Sequence, residues 1–159
     1  MNRISKILTH HKYIDYIKKN AQAETNRIFC HHDLTHGIDV ARVAYIMALE
    51  ETLEIKKGII YTASLLHDIG RWKEYEDGID HALIGAELAV EILVDAGFNS
   101  EEILLICNAI KNHRNSAPSN SILGSILYKS DKISRPCHTC NARNKCKRFK
   151  EDEKPILYY

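Results

Sequence analysis

The chain has 159 residues, of which 45% are hydrophobic and 27% charged, and this fits one domain with a sizeable buried core. No stretch approaches the roughly 20 apolar residues of a membrane span, and the charge-interrupted N-terminal segment lacks a signal-peptide apolar region, so we expect a cytoplasmic protein without a membrane partner. The formal net charge is +1; basic residues concentrate in 1–20 and 132–154, which suits either an anionic ligand or an ordinary solvated surface.

Apolar residues recur with helical spacing along the chain, and no convincing strand alternation appears. Thr35 suits the N-cap of the second predicted helix. Gly70 interrupts the chain after the third, and we expect it to allow a sharp turn. Asn99 with Glu102 resembles a capping box before the fifth. In chain order, the predicted helices cover about 4–14, 35–47, 56–67, 81–97, 100–112 and 120–131.

The segment after Arg135 differs from the rest because it is short, basic and cysteine-rich and has little apolar periodicity. The sequence therefore predicts an all-α fold, with one helical domain over residues 1–135 and a cysteine-rich basic tail over residues 136–159 that packs on it.

Nine histidines are a high count for a chain of this length. A single histidine on an apolar helix face is more often a core residue than a ligand. However, buried imidazoles and carboxylates are costly unless they are paired or bind a metal. Imidazole with carboxylate favours Mn, Fe, Zn, Ni or Co over Ca or Mg. We predict a shared metal site from the residues that lie at or near predicted helix ends, namely His36, His67, Asp68, His81, His113 and Asp131.

Five segments in chain order carry a family resemblance: THGIDVARVA, ASLLHDIGRW, HALIGAELA, AIKNHR and LYKSDKISR. Together they resemble the HD-domain superfamily of metal-dependent phosphohydrolases, whose H…HD…D signature would correspond to His36, His67-Asp68 and Asp131. The resemblance covers residues 33–135 and implies an all-α HD-type domain with metal held among the helices. It also implies an enzyme.

Two further histidines, His81 and His113, lie between the HD pair and the last aspartate. The resemblance then implies the subgroup that binds two metals, with Asp68 bridging the ions. In that subgroup one ion would be held by His36, His67 and Asp131, and the other by His81 and His113. We expect two divalent transition metals, iron or manganese.

Such a centre implies hydrolysis of a phosphate ester or anhydride through a metal-bound hydroxide, with ions about 3.5–4 Å apart. We expect Asp68 to orient the water or take its proton, and Arg71 and Lys132 to offset developing negative charge. Arg71, Trp72 and Arg114 are the predicted substrate-binding residues. The expected substrate is a nucleotide or another small phosphorylated molecule.

Two other functions remain open at this point. HD-domain proteins resembling inositol oxygenase hold a di-iron centre and activate oxygen, and the ligand set does not distinguish them from hydrolases. A non-catalytic nucleotide-binding sensor is the third hypothesis, although a pure binding module does not need a full metal site. We interpret the basic run 143–150 as a solvated tail and do not expect a nucleic-acid partner. Sequence leaves the oligomeric state open.

The tail contains a C-x2-C-x5-C motif formed by Cys137, Cys140 and Cys146. This spacing is common in zinc sites and in iron–sulfur ligation, and three thiolates need a fourth ligand. Cys107 lies in an apolar run and is expected to be a core thiol.

Cys30 is the predicted fourth ligand for a positional reason. It lies six residues before His36, and Cys137 lies six residues after Asp131. If His36 and Asp131 hold one ion, six residues reach about 20 Å and let these cysteines meet. We therefore predict a structural zinc site with four cysteine ligands; an iron–sulfur cluster or unligated thiols are the alternatives.

Overall fold

The structure is a computed structural model that describes residues 2–114, 121–150 and 153–159. Within these ranges the chain forms α-helices and two short 3₁₀ turns, Cys137–Thr139 and Arg143–Lys145, and no strand, which confirms the predicted all-α class. The helices are α1 Arg3–Leu8, α2 His11–Ala23, α3 Leu34–Glu50, α4 Lys57–Leu66, α5 Arg71–Asp77, α6 His81–Ala96, α7 Ser100–Asn112 and α8 Ile122–Ile133.

The helices enclose one apolar core. Helix α3 packs on α4 and α8, and α7 packs on α6 and α8, while α1 and α2 lie against α4, α5 and α6. Burying aliphatic side chains at this scale is the main stabilising contribution to a fold of this size. Fully buried side chains in this core include Ile7, Ile60, Leu66, Ile69, Ile92, Leu93, Ile106, Ile110, Ile126 and Leu127.

The N-terminal region forms two helices where the sequence predicts one. The Thr9 hydroxyl donates to the Ser5 carbonyl oxygen at 2.9 Å and closes the end of α1. The His10 side chain then accepts a hydrogen bond from the Lys12 backbone N–H at 3.2 Å and begins α2. Two local capping contacts therefore divide an apolar pattern that looks continuous along the sequence.

Other helix ends follow their capping side chains. The capping box of Asn99 and Glu102 before α7 is present as predicted. The N-cap of helix α3 lies two residues earlier than predicted, because Asp33 and not Thr35 caps the helix by accepting from the His36 N–H at 2.9 Å. Residue 120, where the sixth helix was predicted to begin, lies outside the described residues.

Helix α5 was not predicted, and Gly70 before it has a different role from the expected one. Its φ of −91° is open to any residue, so no left-handed turn requires glycine there. A Cβ at Gly70 would instead lie 2.6 Å from the His81 carbonyl oxygen and 2.8 Å from the Gly85 nitrogen. Glycine is needed because the start of α6 passes directly against this backbone.

The tail makes contacts with the helical part of the chain. Arg148 donates to the carbonyl oxygen of Lys132 in α8, and the Tyr159 hydroxyl donates to Glu50 at the end of α3 at 2.8 Å. Separately, none of the described helices has both the length and the apolar character needed to cross a bilayer.

We expect the substitution Gly70→Ala to lower the free energy of unfolding by about 1–3 kcal/mol, because the added methyl overlaps the backbone of α6. Gly58→Ala is the matched control, since a Cβ there meets nothing within 4 Å. It should be neutral or stabilising by about 0.5–1 kcal/mol. Urea unfolding of both variants measures the difference, and equal effects would contradict the packing explanation.

Candidate metal centre and active site

Helix ends converge on a buried cluster of imidazoles and carboxylates. His36 lies in the first turn of α3, His81 is the first residue of α6, and His113 follows α7. The pair His67-Asp68 follows α4. Asp131, which comes from the last turns of α8, completes the set of six residues that the sequence predicted as ligands.

The first half of the cluster is formed by His36, His67, Asp68 and Asp131, whose ligand atoms lie within 4.8 Å of one another. His36 Nε2 lies 3.1 Å from Asp131 Oδ1 and 3.6 Å from Asp68 Oδ2. His67 Nε2 lies 2.8 Å from Asp68 Oδ2 and 3.7 Å from Asp131 Oδ1. Four ligand-type atoms thus face one point.

The second half is formed by Asp68, His81 and His113, again within 4.8 Å. Asp68 Oδ1 lies 3.2 Å from His81 Nε2 and 3.7 Å from His113 Nε2. The two imidazole nitrogens are 3.2 Å apart. Asp68 therefore directs one carboxylate oxygen to each half of the cluster.

The outer nitrogens of three of the histidine rings are already engaged. His67 Nδ1 and His113 Nδ1 each lie against a backbone carbonyl oxygen three residues earlier, at 2.7 Å and 2.6 Å. His81 Nδ1 lies 2.6 Å from a carboxylate oxygen of Glu74. An N–H on each Nδ1 leaves an Nε2 lone pair facing the cluster, and such outer contacts orient histidine ligands in metal sites.

Two buried atoms at the centre have no hydrogen-bond partner in the described part of the chain: His67 Nε2 and Asp68 Oδ2. They lie 2.8 Å apart but are not aligned as donor and acceptor. Buried polar atoms are normally satisfied, because leaving one unpaired costs about 1–3 kcal/mol. A cation between these atoms would satisfy both, so the residues present fit a metal ion.

The charges of the cluster are strongly coupled. Burial would lower the pKa of His67, but the negative charges of Asp68 and Asp131 raise it to about 10. Burial would raise the pKa values of both carboxyls, yet the neighbouring imidazoles hold them well below the usual range. Burial and repulsion from His67 lower the pKa of His113 to about 3. A metal would replace a proton at His67, which makes metal binding weaken as the pH falls.

A second layer of polar contacts supports the centre, and most of these contacts were not predicted from the sequence. The buried carboxylate of Glu24 accepts from the His32 backbone N–H at 2.8 Å, from the His32 ring and from the Tyr75 hydroxyl at 2.8 Å. His32 Nε2 in turn lies 3.1 Å from Arg71 Nη2 and 4.0 Å from Asp68. The sequence did not identify Glu24, because these contacts join the end of α2, a loop and α5.

The side chain of Asn20 makes two hydrogen bonds to the backbone of the same region. Its side chain donates to the Asp68 carbonyl oxygen at 2.9 Å and accepts from the Trp72 N–H at 2.9 Å. Asn20 is 1% exposed. These two contacts hold the backbone between α4 and α5, which carries both the HD pair and Arg71.

Of the predicted basic residues, Arg71 and Lys132 lie beside the centre. Arg71 Nε is 3.4 Å from Asp68 and is a buried donor without a hydrogen-bond partner among the described residues. Lys132 Nζ lies 3.9 Å from Asp131. Burial lowers the pKa of Lys132, and the charges of Arg148 and Arg135 contribute in the same direction.

Trp72 and Arg114, also predicted to bind substrate, are placed differently. Trp72 is buried in the core, where its ring stacks on Tyr16 with centroids 6.2 Å apart. Arg114 is held outside the centre by Glu74 and Asp80, each at 2.9 Å. The structure therefore gives neither side chain a contact with the cluster itself.

A cavity of about 360 Å³ adjoins the centre, with His32 and Asp131 in its lining. Arg135, to which the sequence assigned no role, lies at this wall and donates to Asp131 at 2.7 Å. A cavity with this lining suits a ligand that carries several negative charges. Its cationic side chains are Arg27, Arg71, Lys132, Arg135, Lys145, Lys147 and Arg148.

The cysteines of the predicted structural site lie around the same wall. Cys30, Cys137 and Cys146 line this cavity, and Cys30, Cys137 and Cys140 line a second cavity of about 300 Å³. Over the described residues, groups of three or more ligand atoms within 4.8 Å of one another occur at the histidine cluster and not at these sulfurs. Cys107 lies apart, donating to the Ala86 carbonyl oxygen at 3.4 Å.

Comparison with known proteins identifies related chains. The family described as "HD domain" matches residues 33–135. A protein of Clostridium beijerinckii described as uncharacterized is 40% identical over 159 residues, covering all of both chains. Ribonuclease Y of Mycoplasma mycoides is 28% identical over 144 residues, which are 89% of this chain and 32% of that enzyme.

A crystal structure from an uncultured Thermotogales bacterium, described as a predicted HD superfamily hydrolase, superposes with a TM-score of 0.59. It is 31% identical, and the match covers 76% of this chain and 66% of that one. Ribonuclease Y of Acetivibrio thermocellus is 35% identical over 101 residues, which are 64% of this chain and 17% of that enzyme. The chain thus spans less than a third of the length of the ribonuclease Y relatives it matches.

The contacts of Glu24 predict a pH dependence of stability. Burial would raise its pKa, but the hydrogen bonds from His32 lower it from 4.5 to about 2. Because the folded pKa is the lower one, the stabilisation is complete above pH 4.5 and is lost as the pH falls through about 2. We expect Glu24→Gln to cost about 1–3 kcal/mol at neutral pH, with the difference shrinking below pH 4.5.

Urea unfolding of both proteins across this pH range, without metal, measures the effect. Glu87→Gln is the control, since Glu87 is exposed on α6 and should change stability by less than about 0.5 kcal/mol. A cost for Glu24→Gln that stays constant down to the acid limit would contradict the assigned contact.

Proposed function

This chain belongs to the HD-domain family, and we propose that it is a metal-dependent phosphohydrolase with a two-metal centre. The observation that carries the proposal is the buried carboxylate of Asp68, which directs Oδ2 to one group of ligand atoms and Oδ1 to another. An ion pair with a purely structural role would need one partner for Asp68, and not a separate group of ligand atoms at each of its two oxygens. Bridging by one carboxylate is the arrangement that brings two ions close enough to act together.

Each ion would be held by one of the two groups of ligand atoms that lie within 4.8 Å of one another. His36, His67 and Asp131 would hold the first ion, His81 and His113 the second, and Asp68 both. Imidazole and carboxylate without thiolate favour Mn, Fe, Zn, Ni or Co over Ca or Mg, and we propose iron or manganese. When bound, a pair of such ions polarises a phosphoryl oxygen and lowers the pKa of a bound water to near neutrality.

The surrounding residues would bind and orient the substrate. Asp68 lies between the two halves of the centre, from where it orients the attacking water. Arg71 Nε is a buried donor that lacks a partner in the described ranges, and a phosphoryl oxygen would supply one. Lys132, whose Nζ lies 3.9 Å from Asp131, would offset negative charge as it develops on the phosphate.

The substrate class follows from the cavity beside the centre. Its cationic lining favours a molecule with several phosphate charges, and we propose a nucleotide or another small phosphate ester or anhydride. The relatives from Mycoplasma mycoides and Acetivibrio thermocellus are described as ribonuclease Y. An oligoribonucleotide is therefore the second candidate substrate and belongs in the same activity screen.

Metal content is the first test of the two-ion centre. We expect about two iron or manganese ions per chain in protein prepared anaerobically without chelator. Asp68→Asn should lose both ions, whereas His113→Gln should lose about one, because it removes a ligand of the second group only. Asp15→Asn, at an exposed residue of α2, should keep both. Equal metal content in Asp68→Asn and Asp15→Asn would contradict the bridging role.

Release of phosphate, or of shorter fragments from the oligoribonucleotide, is the test of the activity. In a screen of nucleoside mono-, di- and triphosphates, p-nitrophenyl phosphate and a short oligoribonucleotide, we expect Arg71→Gln to lower kcat/KM by about 100-fold or more. Arg42→Gln changes an exposed arginine on α3 and should leave kcat/KM unchanged. Oxygen uptake by the reduced iron-loaded protein, without hydrolysis of any of these compounds, would instead support an oxygenase.

A further inference from the structure

The tail after α8 and the loop before α3 meet beside the metal centre. His36 Nε2 and Asp131 Oδ1 are 3.1 Å apart, so the segments that precede His36 and follow Asp131 start from one place. Arg135 joins them directly, because its Nη1 donates to the His31 carbonyl oxygen at 3.4 Å. Cys30 is the neighbour of His31 and Cys137 follows Arg135 by two residues, so both cysteines lie at this junction.

The tail backbone presents its three cysteines at the ends of tight turns. The first 3₁₀ turn, Cys137–Thr139, is followed by Cys140, whose N–H donates to the Cys137 carbonyl oxygen at 3.4 Å. The second, Arg143–Lys145, is followed by Cys146, whose N–H donates to the Arg143 carbonyl oxygen at 2.9 Å. Two short turns in succession bring three thiols back to one region instead of spreading them along an extended segment.

The thiols of the tail and of the loop lie along two neighbouring cavities. Cys30 and Cys137 border both cavities described above, with Cys140 on one side and Cys146 on the other. Burial raises the pKa of Cys137, and Arg148 opposes this rise, while Cys30, Cys140 and Cys146 add to it through the charge they would carry. Cys137 is therefore within electrostatic reach of all three other thiols.

We propose that Cys30, Cys137, Cys140 and Cys146 form a zinc site, separate from the histidine centre, that fastens the tail to the loop before α3. Four thiolates are a complete ligand set for tetrahedral zinc, with Zn–S distances of about 2.3 Å. In the described part of the chain no three of these sulfurs lie within 4.8 Å of one another. Zinc would draw them together, which short surface turns permit, and such sites commonly take their final shape only with metal.

Basic side chains around the four cysteines suit a negatively charged zinc–thiolate site. Zinc with four thiolates carries a net charge of about −2, and Arg148 Nη1 already lies 3.8 Å from Cys137 Sγ. Lys145 and Lys147 flank Cys146 in the sequence. The basic composition of the tail thus offsets the negative charge of the site while also lining the neighbouring cavity.

The site would act on the wall of the active-site cavity. Arg148 donates to the Lys132 carbonyl oxygen, and Arg135 donates to the Asp131 carboxylate at 2.7 Å. Both arginines line the 360 Å³ cavity. Holding the tail in place would keep these cations at the cavity, so zinc would be a structural element of substrate binding and not a participant in the reaction.

Cobalt substitution tests the site independently of catalysis. Cobalt bound by thiolates gives an intense sulfur-to-metal charge-transfer absorption, whereas cobalt bound by imidazole and carboxylate does not. We expect this absorption in the full chain under reducing conditions, at about one ion per chain, and a fall of about one quarter or more in Cys30→Ser, which removes one of the four thiolates. Cys107→Ser, the matched control, and Asp68→Asn, which alters only the histidine centre, should both retain it.

Zinc analysis and proteolysis complete the experiment. The full chain should hold about one zinc that is released when its thiols are modified, and zinc removal should speed tryptic cleavage within the tail by about tenfold. Cys146→Ser repeats the test if Cys30→Ser does not fold. An undiminished thiolate absorption in Cys30→Ser, no thiolate absorption in the unaltered chain, or an iron–sulfur chromophore in anaerobically prepared protein would overturn the proposal.

Discussion

The buried carboxylate of Asp68 is the constraint around which the helix ends are arranged. A carboxylate with so little access to water is costly unless positive charge or hydrogen-bond donors surround it. No local sequence can supply imidazoles on every side of one residue, so separate helices must end at the same place. The outer contacts of the rings, to backbone carbonyls and to Glu74, then fix which nitrogen faces inward.

Much of this arrangement was predictable because the determinants are local. The capping box of Asn99 and Glu102 depends on three residues of spacing, and it forms as the sequence indicates. The helices that carry the histidines have strong apolar periodicity, so their positions follow from burial alone. The family pattern over residues 33–135 supplied what periodicity cannot, namely which ends of these helices meet.

The features that sequence did not predict are those decided by contacts between distant segments. Glu24 reads as an ordinary surface glutamate of α2, yet it is 1% exposed because His32 and Tyr75 cover it. Trp72 looks like a residue beside the active site but packs in the core, since α5 forms a helix that turns the indole inward. Arg135 has a role because the end of α8 lies against the loop before α3, where its side chain donates to both His31 and Asp131.

The side chain of Asn20 has a consequence for where this protein can be divided. The family pattern begins at residue 33, but Asn20 holds the backbone of Asp68 and Trp72 from helix α2, and Ile7 of α1 is fully buried in the core. A fragment cut at the family boundary would keep every ligand of the histidine centre and lose the Asn20 contacts that support the backbone of Asp68 and Trp72. The start of the family pattern is thus not a folding boundary, and a minimal working unit has to include the two N-terminal helices.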